Sequence, residues 1–247
     1  MHRRVDWQVL LGAGLVLLSA LLYTVHWLVF RDAHHIWIYM VGDIAFLPIE
    51  VLLVTMVIHR VLSDREKRAL LKKLNMVIGA FYSEVGTEFL RASASVDGDL
   101  AGYCARLAVS PHWTQTDFAS ARKAAEECGG ALAPTREDLK LLRVFLVGKR
   151  EFLLRLLENP NLLEHESFTD LLWAVFHLTD ELSRRDDLSA LPEGDLRHLA
   201  GDLRRAYRLL ALEWINYMAH LKRDYPYLFS LATRTSPFDP DASVVVP

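Results

Sequence analysis

The sequence predicts an all-α membrane protein built from a two-helix transmembrane hairpin, an amphipathic stalk and a cytoplasmic helical bundle. Three observations carry that prediction. Two long apolar runs lie close together near the N-terminus, apolar residues recur at spacings of three and four over much of the rest, and strand-like alternation never persists. Across 247 residues, 52% hydrophobic content with positive mean hydropathy fits either a greasy globular protein or a membrane protein, so distribution has to decide.

The first run, Trp7 to Phe30, is interrupted only by uncharged or weakly titrating residues, including Gln8, Ser19, Tyr23, Thr24 and His26. As a helix rising about 1.5 Å per residue it exceeds the hydrocarbon thickness of a bilayer. A second run, Ile36 to Ile58, follows the turn Arg31-Asp32-Ala33-His34-His35 and carries two acids, Asp43 and Glu50. Residues 1–58 therefore read as a hairpin with spans near 7–30 and 36–58. Arg3 and Arg4 precede the first run as in a signal peptide, but its apolar region is too long, no small-x-small cleavage site follows, and the second span comes at once.

Positive charge sets the expected orientation. The turn offers Arg31 alone, whereas Arg3 and Arg4 flank one end and Arg60, Arg65, Lys67, Arg68, Lys72 and Lys73 crowd the other. Both termini are expected in the cytoplasm, in a multi-pass protein of the cell inner membrane, with the basic segment meeting anionic lipid headgroups. Trp7 and Trp27, with Trp37 and Tyr39, suit the aromatic belts of the two interfaces.

Beyond the hairpin, residues 59–95 form an expected stalk in which Leu70, Leu74, Val77, Phe81, Val85 and Phe89 repeat at helical spacing. Asp97-Gly98-Asp99 reads as a turn near a boundary at 95. Residues 96–132 read as a small helical connector, with a short helix capped by Thr116 and ended by Gly129-Gly130. A bundle over 133–232 begins with a helix from Pro134 to Leu157, stopped by Asn159-Pro160. It continues with a helix whose Phe168, Leu172, Val175, Thr179 and Leu182 share one face. A longer stripe from Leu196 through Leu199, Leu203, Ala206, Leu210, Trp214 and Tyr217 to Leu221 packs a bundle or coiled-coil seam. The tail, 233–247, is expected to be extended or disordered.

The run Glu158-Asn159-Pro160-Asn161-Leu162-Leu163-Glu164-His165-Glu166-Ser167-Phe168-Thr169-Asp170, with the later Tyr225-Pro226-Tyr227-Leu228-Phe229, resembles an uncharacterised family of bacterial two-span membrane proteins with a helical cytoplasmic domain. The resemblance covers most of the chain and implies no activity.

Composition and motifs narrow the function classes. A net charge of −3 with one basic juxtamembrane segment offers no nucleic-acid surface. Cys104 and Cys128 lack C-x-x-C spacing and read as reduced structural thiols. His177 and Asp180, Glu213 and Asn216, His220, and the stalk acids Glu84 and Glu88 supply no Glu-x-x-His pair, so no metal site is expected and these groups read as polar helix faces. Phosphate-binding glycine loops and nucleophile elbows are absent from the sequence, so neither a cofactor nor an enzymatic activity is expected.

The informative chemistry lies in the second span, because an ionised carboxylate near the bilayer centre is costly unless paired, hydrated or protonated. Asp43 and Glu50 stand seven residues apart, nearly two helical turns, so they project from one side in line with Tyr39 and Phe46. Counting depth along antiparallel spans sets Tyr23 and His26 near Asp43, whereas Glu50 has only Ser19 about one turn away. Pro48 removes a backbone donor between the acids, and Gly42 is a point of close approach.

Two readings follow. In the first, several hairpins assemble as a homo-oligomer around a cation pathway, with Asp43 and Glu50 as stacked acidic rings and Gly12, Gly14 and Ser19 packing the outer helices. In the second, the acids are hydrogen-bonded and structural. The hairpin is then an anchor for a cytoplasmic scaffold or sensor that meets a soluble protein partner.

Overall fold

In the computed structural model the chain is all-helical, and the structure describes residues 7–94, 96, 100–127, 132–160, 162 and 165–245. Ten α-helices are described: α1 (Trp7–Phe30), α2 (Ala33–Phe81), α3 (Thr87–Ala94), α4 (Leu100–Leu107), α5 (Gln115–Glu127), α6 (Arg136–Gly148), α7 (Arg150–Leu157), α8 (Glu166–Ser183), α9 (Glu193–Asp224) and α10 (Pro226–Arg234). A single π-helical turn, Tyr82–Gly86, joins α2 to α3. The chain divides into two compact units at Lys67/Arg68, within α2.

The first unit contains the hairpin. Leu10–Phe30 and Ile36–Ser63 are long and apolar enough to cross a membrane, with mean hydropathies of 1.9 and 2.1, and none of their residues is buried within the chain. A core helix of a soluble protein would be mostly buried, so these two helices point to membrane association. The connection between them is shorter than the expected five residues. Only Arg31 and Asp32 lie between the helices, Arg31 takes a positive φ of 50°, and Asp32 Oδ1 accepts from the His34 amide at 2.9 Å to cap α2. The helix runs on through Pro48.

The second unit is built around α9. Helices α3, α5, α8 and α10 pack on α9, α6 and α7 pack on α8, and α4 packs on α5. The unit begins upstream of the boundary expected at 95, because Leu74, Ile78, Phe81, Val85 and Phe89 of the supposed stalk are buried in the same core as Leu203, Leu210 and Trp214. Phe81 meets Phe168 edge-on at 5.4 Å, the geometry favoured by ring quadrupoles.

Local signals explain the remaining differences. Thr114, not Thr116, caps α5: its amide and hydroxyl both donate to Asp117, and its hydroxyl accepts from the Asp117 amide. Thr135 and Asp138 form the matching capping box of α6. The single helix expected up to Leu157 is broken at Lys149 into α6 and α7. Part of the tail is packed, with Ser236 and Phe238 buried, and the Thr235 carbonyl accepts from Arg91 at 2.8 Å. The expected turns at Asp97-Gly98-Asp99 and Gly129-Gly130, the N-terminal Arg3 and Arg4, and Cys128 lie outside the described residues, as does the Cys104 side chain.

Candidate functional site

In the second unit the end of α2, the π turn, α9 and α10 border an open cavity of about 740 Å³. Its rings come from Tyr82, Trp214, Tyr217, His220, Tyr225 and Tyr227, and no lysine, arginine, aspartate or glutamate lines it among the described residues. The volume is that of a small-molecule site, and an apolar wall with few polar groups is the usual composition of one.

The sequence places these rings through helix geometry. Trp214 and Tyr217 stand on successive turns of the α9 stripe, and Tyr82 is delivered by the π turn, a feature that tends to occur at functional positions. Gly86 closes that turn because a Cβ there would sit 2.5 Å from the Tyr82 ring. Tyr82 stacks on Tyr217 at 5.5 Å with the planes 13° apart, and meets Trp214 edge-on at 5.2 Å. Its hydroxyl donates to the Leu210 carbonyl at 2.8 Å. Burial, with smaller contributions from Glu213 and Tyr217, pushes its phenol well above the ordinary tyrosine range.

Two polar atoms of lining residues have no hydrogen-bond partner among the described residues and almost no accessible surface, so they lie behind the cavity wall. Trp214 is buried, and its Nε1 is unbonded; His220 Nε2 is likewise buried and unbonded. His220 is oriented by Asp224 one turn on, whose Oδ2 lies 2.9 Å from Nδ1. Burial lowers the imidazole's proton affinity, opposed by Asp224 and assisted by Arg223, so the neutral ring is favoured. Arg223 Nη2 also lies 3.4 Å from Nδ1, so that nitrogen is shared between a carboxylate and a guanidinium. Burying a polar group without a partner costs about 1–3 kcal/mol.

A second polar cluster joins α8 and α9. Asp202, almost fully buried, has Oδ2 3.5 Å from His177 Nε2 and 3.4 Å from His198 Nε2, with Glu181 3.9 and 3.7 Å from the same two nitrogens. Arg185 clamps Asp195 in a bidentate pair at 2.7 and 2.8 Å and reaches Glu181 at 2.7 Å. No group of three or more histidine, cysteine or acidic residues among the described residues could hold a metal ion. His177 of the sequence inventory thus lies against two carboxylates without a hydrogen bond to either, while Glu213 lies in a hydrogen-bonded network. Buried Glu213 accepts from Ser167 and from Asn216 at 3.1 Å, and Asn216 in turn accepts from Arg122 at 2.7 Å. Glu84 pairs with Lys149 at 2.9 Å and Glu88 with Arg91 at 3.6 Å.

The residues singled out in the spans sit in the first unit. Asp43 and Glu50 are exposed on α2, and neither makes a hydrogen bond or ion pair with another described residue. His26 packs on Phe30 with ring centroids 4.7 Å apart. Tyr39, Gly42 and Pro48 are exposed, as are Arg60 and Arg65. The side chains of Lys67, Arg68, Lys72 and Lys73 lie outside the described residues.

The fold thus defines a class: all-helical proteins with two N-terminal candidate membrane spans ahead of a helical domain that holds an aromatic cavity. Residues 2–62 match the family "MJ1433, N-terminal helical domain" and residues 70–234 match "Uncharacterized protein MJ1433, C-terminal helical domain". The chain belongs to the MJ1433 family. It is 44% identical over 240 residues to "Uncharacterized protein MJ1433" of Methanocaldococcus jannaschii, covering 97% of this chain and 96% of that one. That relative is archaeal, so the bacterial membership implied by the sequence resemblance is not what the comparison supports. No solved structure matches. The two family domains meet where the structure divides the chain.

Proposed function

We propose that this protein is a membrane-anchored sensor, in which the hairpin crosses the bilayer with both termini in the cytoplasm and the helical domain binds a small molecule in its aromatic cavity. The ring-lined, mostly apolar cavity of about 740 Å³ carries this reading. It is a reading of binding without turnover, since the sequence shows no activated nucleophile or phosphate loop to add chemistry to the site. Native mass spectrometry of the detergent-purified full chain tests it. The protein is expected to retain a small molecule from the cell, and Trp214→Phe and His220→Phe are expected to lose it. Retention unchanged in both variants, or a wild type that neither retains nor responds to any small molecule, overturns the reading.

A second reading is favoured by Asp43 and Glu50. Two exposed carboxylates on one side of a candidate span, with no partner among the described residues, suit a homo-oligomeric cation pathway lined by α2. The basic residues from Arg60 to Lys73 suit anionic lipid on the same side.

A further inference from the structure

We infer that the outward face of α6 is a contact between two copies of this chain, which pair antiparallel about a two-fold axis between Val144 and Val147. The inference goes beyond both readings above and depends on neither.

It starts from a helix that is apolar on two opposite sides. Leu139, Leu142 and Leu146 turn one side of α6 to the core. On the other side Leu141 is 73%, Val144 77% and Val147 39% exposed, at the three-residue spacing that keeps them on one stripe. A surface helix normally turns polar residues to water on the side away from its core, and one that is apolar all round is covered on both sides.

Gly148 points to a close approach on the same stripe. It is the last residue of α6, four after Val144, and it does not take the left-handed conformation for which glycine often ends a helix. A Cβ there would meet nothing within 4 Å among the described residues. Glycine is the weakest helix former after proline, so a helical position that uses neither its freedom nor, within this chain, its small size fits a neighbour from outside.

Charge identifies the occupant and its direction. The apolar stripe is bounded upstream by Glu137 and Lys140 and downstream, past a right-handed Lys149 with φ −102° and ψ 0°, by Glu151 and Arg155 of α7. Each end carries one acid and one base, with Lys140 2.6 Å from Glu137 and Arg155 3.8 Å from Glu151. A two-fold axis between Val144 and Val147 sets Val144 of one copy against Val147 and Gly148 of the other. It also brings Lys140 to Glu151 and Glu137 to Arg155, base to acid at both ends. A parallel pair would instead set Glu137 on Glu137 and Arg155 on Arg155.

Disulfide trapping of the full chain in membranes tests the inference, in a background carrying Cys104→Ser and Cys128→Ser. One helix face is less area than a stable complex buries, so trapping suits this pair better than a mass measurement. Val144→Cys and Val147→Cys are expected to give dimers on mild oxidation at about tenfold the yield of Glu126→Cys, an exposed control position on α5. Leu141→Cys should stay at the control level, because it stands about 14 Å along the pair from its counterpart. Arg155→Glu is expected to lower the Val144→Cys yield about twofold to fivefold, and Glu137→Lys added to it to restore the yield. Equal cross-linking at Leu141, Val144 and Val147, or a yield indifferent to Arg155→Glu, overturns the antiparallel pairing. Control-level yields at both Val144 and Val147 overturn the interface itself. So does a cross-link to a different protein, which would assign the face to that partner.

Discussion

The Tyr217 hydroxyl occupies the space a side chain at Gly79 would need: a Cβ there would lie 2.8 Å from Tyr217 Oη and 3.5 Å from Cζ. The glycine lets α2 and α9 approach closely at the mouth of the aromatic cavity. Gly79→Ala gains helix propensity of about 1 kcal/mol but must displace a ring that is stacked on Tyr82. In the wild-type background the substitution is expected to be destabilising. In a Tyr217→Phe background, where the nearest contact becomes an ordinary one, it should be neutral or stabilising. A double-mutant cycle by chemical denaturation should give a coupling of about 1 kcal/mol; identical effects in both backgrounds would show that Tyr217 does not oppose the methyl group.

Arg185 ties the end of α8 to the start of α9, and its hydrogen bonds hold the carboxyls of Glu181 and Asp195 below their ordinary values of 4.5 and 3.8. Folded-state pKa values that are depressed stabilise the protein above the ordinary values, and that contribution is lost as pH falls through the lowered ones. Arg185→Leu is therefore expected to cost about 1–3 kcal/mol at neutral pH, with the gap to wild type closing below about pH 4. Urea melts of both proteins across pH check it. A gap independent of pH would mean that the loss comes from packing.

Leu203 is 1% exposed in the middle of the α9 stripe. Leu203→Asp puts a carboxylate into that core and should cost on the order of 3–5 kcal/mol, a large share of a domain's stability. Circular dichroism of the purified chain should show a lower unfolding midpoint; an unchanged midpoint would place Leu203 outside the cooperative core.

The cation-pathway reading predicts that Glu50→Gln, which keeps shape and removes charge, lowers cation flux and selectivity in liposomes, with Asp43→Asn acting more weakly. Absence of flux through the wild type at several voltages and pH values returns the hairpin to the role of anchor. Orientation is read separately. A cysteine at Ala33 in intact cells is expected to react with an impermeant reagent while one at Ser243 does not, and the reverse pattern would invert the topology.

Periodicity made much of the fold legible. The apolar runs delimit α1 and the start of α2, and the stripes from Phe168 to Leu182 and from Leu199 to Leu221 are the buried faces of α8 and α9. The break at Lys149 was not legible, because Leu142, Leu146, Leu153 and Leu156 keep a nearly helical spacing across it and all end up buried. The cavity was hidden for a different reason. Tyr82 stands far in sequence from Trp214 and Tyr225, and each ring by itself reads as core. His220 and Asp224, one turn apart, were the only local trace, and spacing alone could not show that Nε2 would be left without a partner.

The wide turn at Tyr82–Gly86 gives the domain a fixed helical phase. An α-helix advances about 100° per residue, and a π turn absorbs an extra residue without passing that rotation on. On one side Leu74, Ile78 and Phe81 face the core; on the other Phe89 and Leu90 face it too. Removing one residue from this turn would let it close to a regular α-helix with Phe89 and Leu90 still turned to α9. A residue removed from the α-helical stretch before the turn has no such slack and would rotate everything downstream by about 100°, so the turn is the one place between Phe81 and Phe89 where the chain can shorten without turning its core face away.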